Sequence, residues 1–388
     1  MTTKPQISSP YSTVGKLGKS ILLTLPMSLI VFFFMTGGKP DFTNAARTVA
    51  MLTTFLFFSL MFFLMLYTGK TDRYRAIVFV LFSLLMSVSF ISMMLESRNA
   101  MTFNNADVLE CKIPFCHLVI PMTIIPAALT QTIIFPGQIS EGFAAIASMV
   151  VLWFVASLVL GKGFCSWGCF YGGWDDGFSR LRKKAVIKKI SPILRWMPFA
   201  VLFLVVISAA ITLMPTYCAW ICPFKTVTEY EKVTNFETVV KTTIFLSLFI
   251  SLVVVLPILT RKRTQCGMFC PMGAVNSLFN KVNVYDIKID KSKCTGCLKC
   301  VKECPVNALS EEDVKNGKAS FTCVKCGKCV DACSKHAIHF HIKGTPVDKK
   351  LGFARNLFLY TSFLFLAVFS AGMYQGGIYY ILKWFHLA

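Results

Sequence analysis

Residues 160–174 read LGKGFCSWGCFYGGW. A long apolar run, 143–160, ends here, and two cysteines, Cys165 and Cys169, follow at once among glycines and tryptophans. Thiols at the end of an apolar span need an explanation from the rest of the chain, which holds sixteen cysteines in all.

Composition fixes the surroundings of that stretch. Of 388 residues, 55% are hydrophobic, 36 are phenylalanine and only 15% are charged, against about 25% charged in soluble domains. So much apolar side chain would overfill a soluble core. The composition predicts an α-helical polytopic membrane protein. Apolar runs at 20–36, 49–67, 76–95, 143–160, 198–214, 242–259 and 356–382 are each about long enough to cross a ~30 Å hydrocarbon layer as helix. The first resembles a signal-peptide core, but no small-residue cleavage site follows and more spans come after, so it reads as a retained helix. The net charge of +21 does not indicate nucleic-acid binding, because the basic residues flank apolar spans and form no face interleaved with aromatics.

The run 119–136 is apolar but carries Pro121, Pro126 and Pro136, and proline kinks helices. Charge decides its reading. If it does not cross, and the N-terminus is cytoplasmic, 32 of the 40 Lys and Arg lie on the inside. If it crosses, most of them move outside, against the positive-inside rule. The chain therefore reads as seven crossing helices plus a re-entrant segment, in the inner (cytoplasmic) membrane. The predicted organisation is a cytoplasmic tail over 1–19, a membrane domain over 20–280 with cysteine pairs at both faces, an inserted cytoplasmic α+β module over 286–343, and a final transmembrane helix over 355–383.

Residues 294–305 read CTGCLKCVKECP and residues 323–334 read CVKCGKCVDACS. This is the C-x2-C-x2-C-x3-C spacing of bacterial two-cluster ferredoxins, in which the fourth cysteine of each run ligates the other cluster. One [4Fe–4S] site (cluster I) is expected from Cys294, Cys297, Cys300 and Cys333, the other (cluster II) from Cys323, Cys326, Cys329 and Cys304. A module this small has a marginal core, so the clusters act as staples. Over 281–350 it holds fourteen lysines against eight acids, a charge suited to docking an acidic donor or simply to a solvated face.

Four further pairs lie outside that module: Cys111/Cys116, Cys165/Cys169, Cys218/Cys222 and Cys266/Cys270. All but the first are C-x3-C; residues i and i+4 share a helix face, so such a pair makes half a cluster site, and a second pair completes it. The predicted topology puts Cys165, Cys169, Cys266 and Cys270 at the inner face and Cys111, Cys116, Cys218 and Cys222 at the outer face. Each set could ligate a further cubane, giving up to four. The outer set could instead form disulfides. Trp167 and Trp174 read as interfacial anchors, and the basic run from Arg180 to Lys189 as a solvated topology signal. His117 reads as a polar cap and His336, His339 and His341 as solvated residues. No C-x-x-C-H occurs, so covalent c-type haem is not expected.

The motifs GKGFCSWGC (161–169), CAWICP (218–223), QCGMFCPMGAV (265–275) and the two ferredoxin runs resemble those of the polyferredoxin-like membrane electron carriers of the NapH, NosR and CcoG kind. The resemblance covers about 143–340, with Phe170 where that family has proline. It implies cluster ligation by Cys165, Cys169, Cys218, Cys222, Cys266, Cys270 and the ferredoxin eight. It also implies a redox relay between a quinol pool or cytoplasmic donor and a reductase or metal centre. The leading expectation is a membrane iron–sulfur carrier, the electron-transfer subunit of an oxidoreductase system. It would take electrons from a cytoplasmic donor, such as an acidic ferredoxin or flavoprotein, to an outer-face acceptor. Alternatives are a quinol dehydrogenase subunit with quinone near His117, a metal-reducing oxidase-assembly factor, and a thiol–disulfide relay.

Overall fold

The computed structural model describes residues 13–40, 42–99, 101–103, 116–131, 146–188, 190–228, 230–346 and 351–385; Cys111 lies outside the described residues. The long helices each carry an apolar stretch of at least 18 residues with no more than two charged side chains, which is the pattern of a span solvated by lipid. Seven of the described helices are long and apolar enough to cross a membrane. They are α1 (Thr13–Thr36), α2 (Ala45–Thr68), α3 (Thr71–Arg98), α5 (Ile146–Leu160, continued by a tight turn and one more helical turn to Trp167), α7 (Met197–Thr212), α8 (Phe236–Leu248, running on through a π turn to Thr260) and α13 (Leu351–Trp384). Each expected span falls on one of them.

Helices α2, α3 and α13 pack through rings: Phe58 meets Tyr374 edge-on at 4.9 Å, and Phe62 lies 4.9 Å from Phe363. The Tyr374 hydroxyl donates to Val78 O at 2.5 Å, so the one polar atom of that cluster is satisfied. Close approach of α13 to α3 depends on Gly377. A Cβ there would stand 2.6 Å from Leu85 O, and small residues at such crossings are what lets membrane helices approach.

Helix α4 (Ile120–Thr130) follows a single 3₁₀ turn at His117–Val119. Residues 117–130 reach about 21 Å at 1.5 Å each, short of a hydrocarbon layer, and the helix packs against α7 and α9 (Pro271–Val282). A second short segment behaves alike. Helix α7 ends on Leu213 in the left-handed region (φ 51°), and the chain turns back until the Thr216 hydroxyl donates to Val205 O at 3.4 Å, about 10 Å short of the helix end. Strand β1 (Thr102–Phe103) pairs in parallel with β2 (Tyr230–Glu231).

The module after α9 is closed by β3 (Tyr285–Ile289) against β4 (Ile338–Ile342), antiparallel, with Ile287 opposite Phe340. Alternate residues of β3 point inward, as expected of a strand with one buried face. Helices α10 (Lys299–Glu303), α11 (Glu311–Asn316) and α12 (Lys328–Ala332) complete it. Asp331 of α12 accepts from the backbone N–H groups of Thr71 and Asp72 at 3.1 and 2.8 Å. The module thus caps the first turn of α3, where a carboxylate also meets the favourable end of the helix dipole.

Candidate iron–sulfur sites

Each of the three C-x3-C pairs sits on the same local device. A helical turn carries the first cysteine, the second drops into extended backbone, and a new helix or turn starts on the next residue. Cys169, Cys222 and Cys270 have φ, ψ of −91°, 106°; −80°, 109°; and −69°, 118°. Pro223 and Pro271 occupy the first position after the break, where proline needs no donor, and Phe170 holds that position after Cys169. The paired thiols are therefore not two rungs of one regular helix. The break points backbone N–H groups at the second sulfur: those of Met272 and Gly273 at Cys270, and of Phe224 and Lys225 at Cys222. Burial nevertheless pushes both thiols up to about 12. Iron ligation would supply the positive charge that makes these thiolates affordable.

Cys165, Cys169, Cys266 and Cys270 line one internal cavity, closed by Leu118, Phe164, Tyr171, Phe224, Gln265 and Met272. This is the set expected at the inner face. A second cavity is lined by Cys304, Cys323, Cys326 and Cys329, the four expected around cluster II. In both, the thiols ring a void. Four thiols around each void are the donor set that a [4Fe–4S] group takes. The residues present fit a multi-iron group. In the cluster I set, Cys294, Cys297 and Cys300 lie on one loop and helix start, and Cys333 closes α12, which packs against α10. Backbone N–H groups of Ala308, Lys325 and Ala337 donate to the sulfurs of Cys304, Cys323 and Cys333 at 3.2, 3.4 and 3.4 Å.

The described members of the fourth set, Cys116, Cys218 and Cys222, lie next to the inner set. Cys116 Sγ lies 3.3 Å from the Tyr171 hydroxyl, and its neighbour His117 places Nε2 3.2 Å from Cys169 Sγ. Cys218 and Cys222 share the surroundings of Tyr171, and Tyr171 stacks on Phe224 at 4.3 Å. The two membrane sets are thus side by side, separated by Tyr171, Phe224 and His117. After α7 the chain folds back along that helix, which brings Cys218 and Cys222 beside Tyr171. The described cysteines form no disulfide with one another.

Other expectations change as well. Trp167 is fully buried and donates to Lys325 O at 3.4 Å, so it packs the module interface and is no lipid anchor. His341 is buried and held by Asp286 at 2.8 Å and Thr345 O at 2.9 Å. His117 is buried against Phe164 and Phe170, away from any open surface. Arg180 leaves the basic run to bind Asp72 at 2.7 Å and Asp176 at 3.2 Å.

Sequence reading passed over a buried ionic cluster that joins the parts. Arg75, fully buried, donates to Asp72 (2.8 Å), Asp176 (2.9 Å), Ser166 O (3.0 Å) and Cys326 O (3.2 Å). Arg263 donates to Ser166 Oγ (2.8 Å), Cys165 O (2.8 Å), Gly172 O (3.1 Å) and Cys266 Sγ (3.3 Å). Asp175, on the short helix α6 (Phe170–Phe178), accepts from the Cys266 backbone N–H at 2.8 Å. Burial raises its carboxyl to about 7, against the pull of Arg263. The signal for this cluster was available: four acids and arginines close to cysteine motifs in a chain otherwise poor in charge.

Residues 286–334 match the 4Fe-4S dicluster domain family, and residues 142–189, 195–232 and 242–291 each match the 4Fe-4S binding domain family. Each of the last three stretches holds one C-x3-C pair. An uncharacterized protein of Methanocaldococcus jannaschii is 27% identical over 213 residues, 55% of this chain and 84% of its own length. The ferredoxin-type protein NapH of Haemophilus influenzae is 25% identical over 211 residues, 52% of this chain and 70% of its own. The putative electron transport protein YccM of Escherichia coli is 25% identical over 257 residues, 62% and 68%. No solved structure matches the chain.

Proposed function

We propose, from the premise that this chain is a NapH-like polyferredoxin membrane protein, that it carries electrons between a donor docking on the ferredoxin module and an acceptor reached through the Cys116/Cys218/Cys222 set. Bound [4Fe–4S] clusters would supply one-electron carriers at potentials set by charge, burial and hydrogen bonds to sulfur. The observation that carries the reading is the contiguity of the four cysteine sets. Cluster II and the inner set flank one shared wall, formed by Trp167, Lys325 and Ser166. The inner set and the remaining set flank another, formed by Tyr171, Phe224 and His117.

The chain's own residues insulate this series. Rings and aliphatic side chains exclude water from the inner cavity, while Arg75 and Arg263 supply buried positive charge beside the thiols. At the far end Cys297 is exposed, with Lys291, Lys293, Lys299 and Lys302 exposed around it. That face suits an acidic redox protein. The segments at 117–130 and 213–228 are read as re-entrant, irregular backbone at depth being tolerated where it is buried in protein. The module and N-terminus are read as cytoplasmic, in the inner membrane, from the distribution of Lys and Arg.

The test is anaerobic purification of the full chain with iron and sulfide counts and EPR. About 16 irons per chain is expected for four cubanes. About 8 would confine clusters to the module and refute the series; about 12 would leave one membrane set empty and break the exit.

A further inference from the structure

We propose that Lys162 and Lys325 are a buried pair of counter-charges, set between the Cys165/Cys169/Cys266/Cys270 cavity and the Cys304/Cys323/Cys326/Cys329 cavity, which raise the reduction potentials of both occupants. The inference rests on the reading that both cavities hold [4Fe–4S] clusters.

Lys162 follows α5 and is 1% exposed; Lys325 lies in the cluster II motif and is 2% exposed. A Cβ built on Gly273 would find Lys162 Cε at 3.7 Å and Cys270 Cβ at 3.8 Å, so the Lys162 side chain ends beside the inner set. Its electrostatic neighbours are Cys165, Cys270 and Cys266 on one side, and Cys323 of cluster II on the other. Lys325 lines the cluster II cavity and sends its ammonium back to Leu160 O at 2.9 Å and to Asn280 Oδ1. The Lys162 backbone N–H donates to the same Asn280 oxygen at 2.9 Å. One amide therefore holds both lysines in the partition between the cavities.

Neither lysine forms an ion pair with a carboxylate among the described residues. Asp286 is the acid that influences Lys325, and it is held by His341 at 2.8 Å. A buried ammonium without an anion is costly. The anions this site can offer are cysteine thiolates, and they exist as such when iron is bound. A cubane with four thiolates is anionic and becomes more so on accepting an electron, so a fixed cation beside it favours the reduced form. Cluster I differs: its Cys297 is exposed and charges there are screened by water and salt. It serves as an internal reference.

The experiment is an EPR-monitored redox titration of anaerobic full-length protein, with iron counts, on wild type, Lys162→Met, Lys162→Arg and Lys325→Met. Signals are assigned with single Cys→Ser variants in each set. Lys162→Met is expected to keep its iron and to shift both flanking signals downward. At the wild-type midpoint the reduced-to-oxidised ratio should fall at least tenfold, equivalent to about 59 mV for one electron, with cluster I unmoved. Lys325→Met should act more on cluster II than on the inner set. Unchanged potentials in iron-replete variants would overturn the proposal. If Lys162→Met loses iron, Lys162→Arg decides: full iron with wild-type potentials supports a charge role, and loss of iron there too overturns it in favour of shape. A wild type lacking iron at the inner set would instead refute the four-cluster reading, and the two failures are told apart by that count.

Discussion

Arg75 offers the sharpest test of how the module is held on the membrane domain. Its guanidinium makes four contacts, all buried: two carboxylates, one carbonyl of the turn after Cys165 and one of the cluster II loop. Replacing Arg75 by Met leaves Asp72 and Asp176 with Arg180 as their remaining cation. It also strips a donor from Ser166 O and from Cys326 O. Removing one partner of a buried ion pair costs about 3–5 kcal/mol. That is roughly two to three and a half orders of magnitude in an opening equilibrium. The loss should not be global. Among the described residues the cluster's hydrogen bonds reach no residue of α1 or α2, so the exchange of those helices should stay slow, while residues 322–333 open. Hydrogen exchange followed by mass spectrometry on reconstituted protein reads this directly. Adding Asp176→Asn should recover part of the loss, because one uncompensated charge is then removed. Equal protection of residues 322–333 in wild type and Arg75→Met would refute the claim that this arginine fastens the module. So would loosening spread evenly over all segments.

Cys270→Ser should remove about 4 irons and the inner-set EPR signal while leaving both ferredoxin signals, as metal analysis and EPR on the variant would show. Tyr171→Phe deletes the hydroxyl 3.3 Å from Cys116 Sγ. It should lower the potential of that set if the hydroxyl donates to sulfur, at a stability cost of about 1 kcal/mol, read by redox titration and thermal melting. Gly377→Val drives a Cβ against Leu85 O and should cost at least about 1–3 kcal/mol as overpacking, seen as a lowered melting temperature in detergent. The rate of reduction by an acidic ferredoxin should fall steeply between low and physiological salt, and fall further when Lys291, Lys293, Lys299 and Lys302 are changed to Gln; stopped-flow kinetics check both.

The sequence makes the spans legible because lipid demands long apolar runs, and the dicluster domain at 286–334 legible because its cysteine spacing is set by cluster geometry. The grouping of Cys165 and Cys169 with Cys266 and Cys270 followed from helix direction alone. Depth did not. Thr216 folding back on Val205 has no signature in hydropathy, so Cys218 and Cys222 were expected at a helix end. Pairing geometry was missed as well: i, i+4 spacing suggests a continuous helix, whereas Cys169, Cys222 and Cys270 each break one. Trp167, His341 and Arg180 were misread for a common reason. Each is a residue that usually faces an interface or water, and each was claimed by a tertiary partner far along the chain: Lys325, Asp286 and Asp72.

The turn–break–helix device occurs three times, and each copy brings two thiols. Three is odd. The first and third copies close on each other, which leaves the second, with Cys218 and Cys222, as a half-site that the repeats themselves have no means to complete. Any further thiol beside that pair comes from outside the repeats, and Cys116, just before the 3₁₀ turn at His117–Val119, is one such, 3.3 Å from the Tyr171 hydroxyl. On the four-cluster proposal, parity as well as hydropathy gives the proline-rich stretch between α3 and α5 a use: without it, Cys218 and Cys222 would need partners from a second chain.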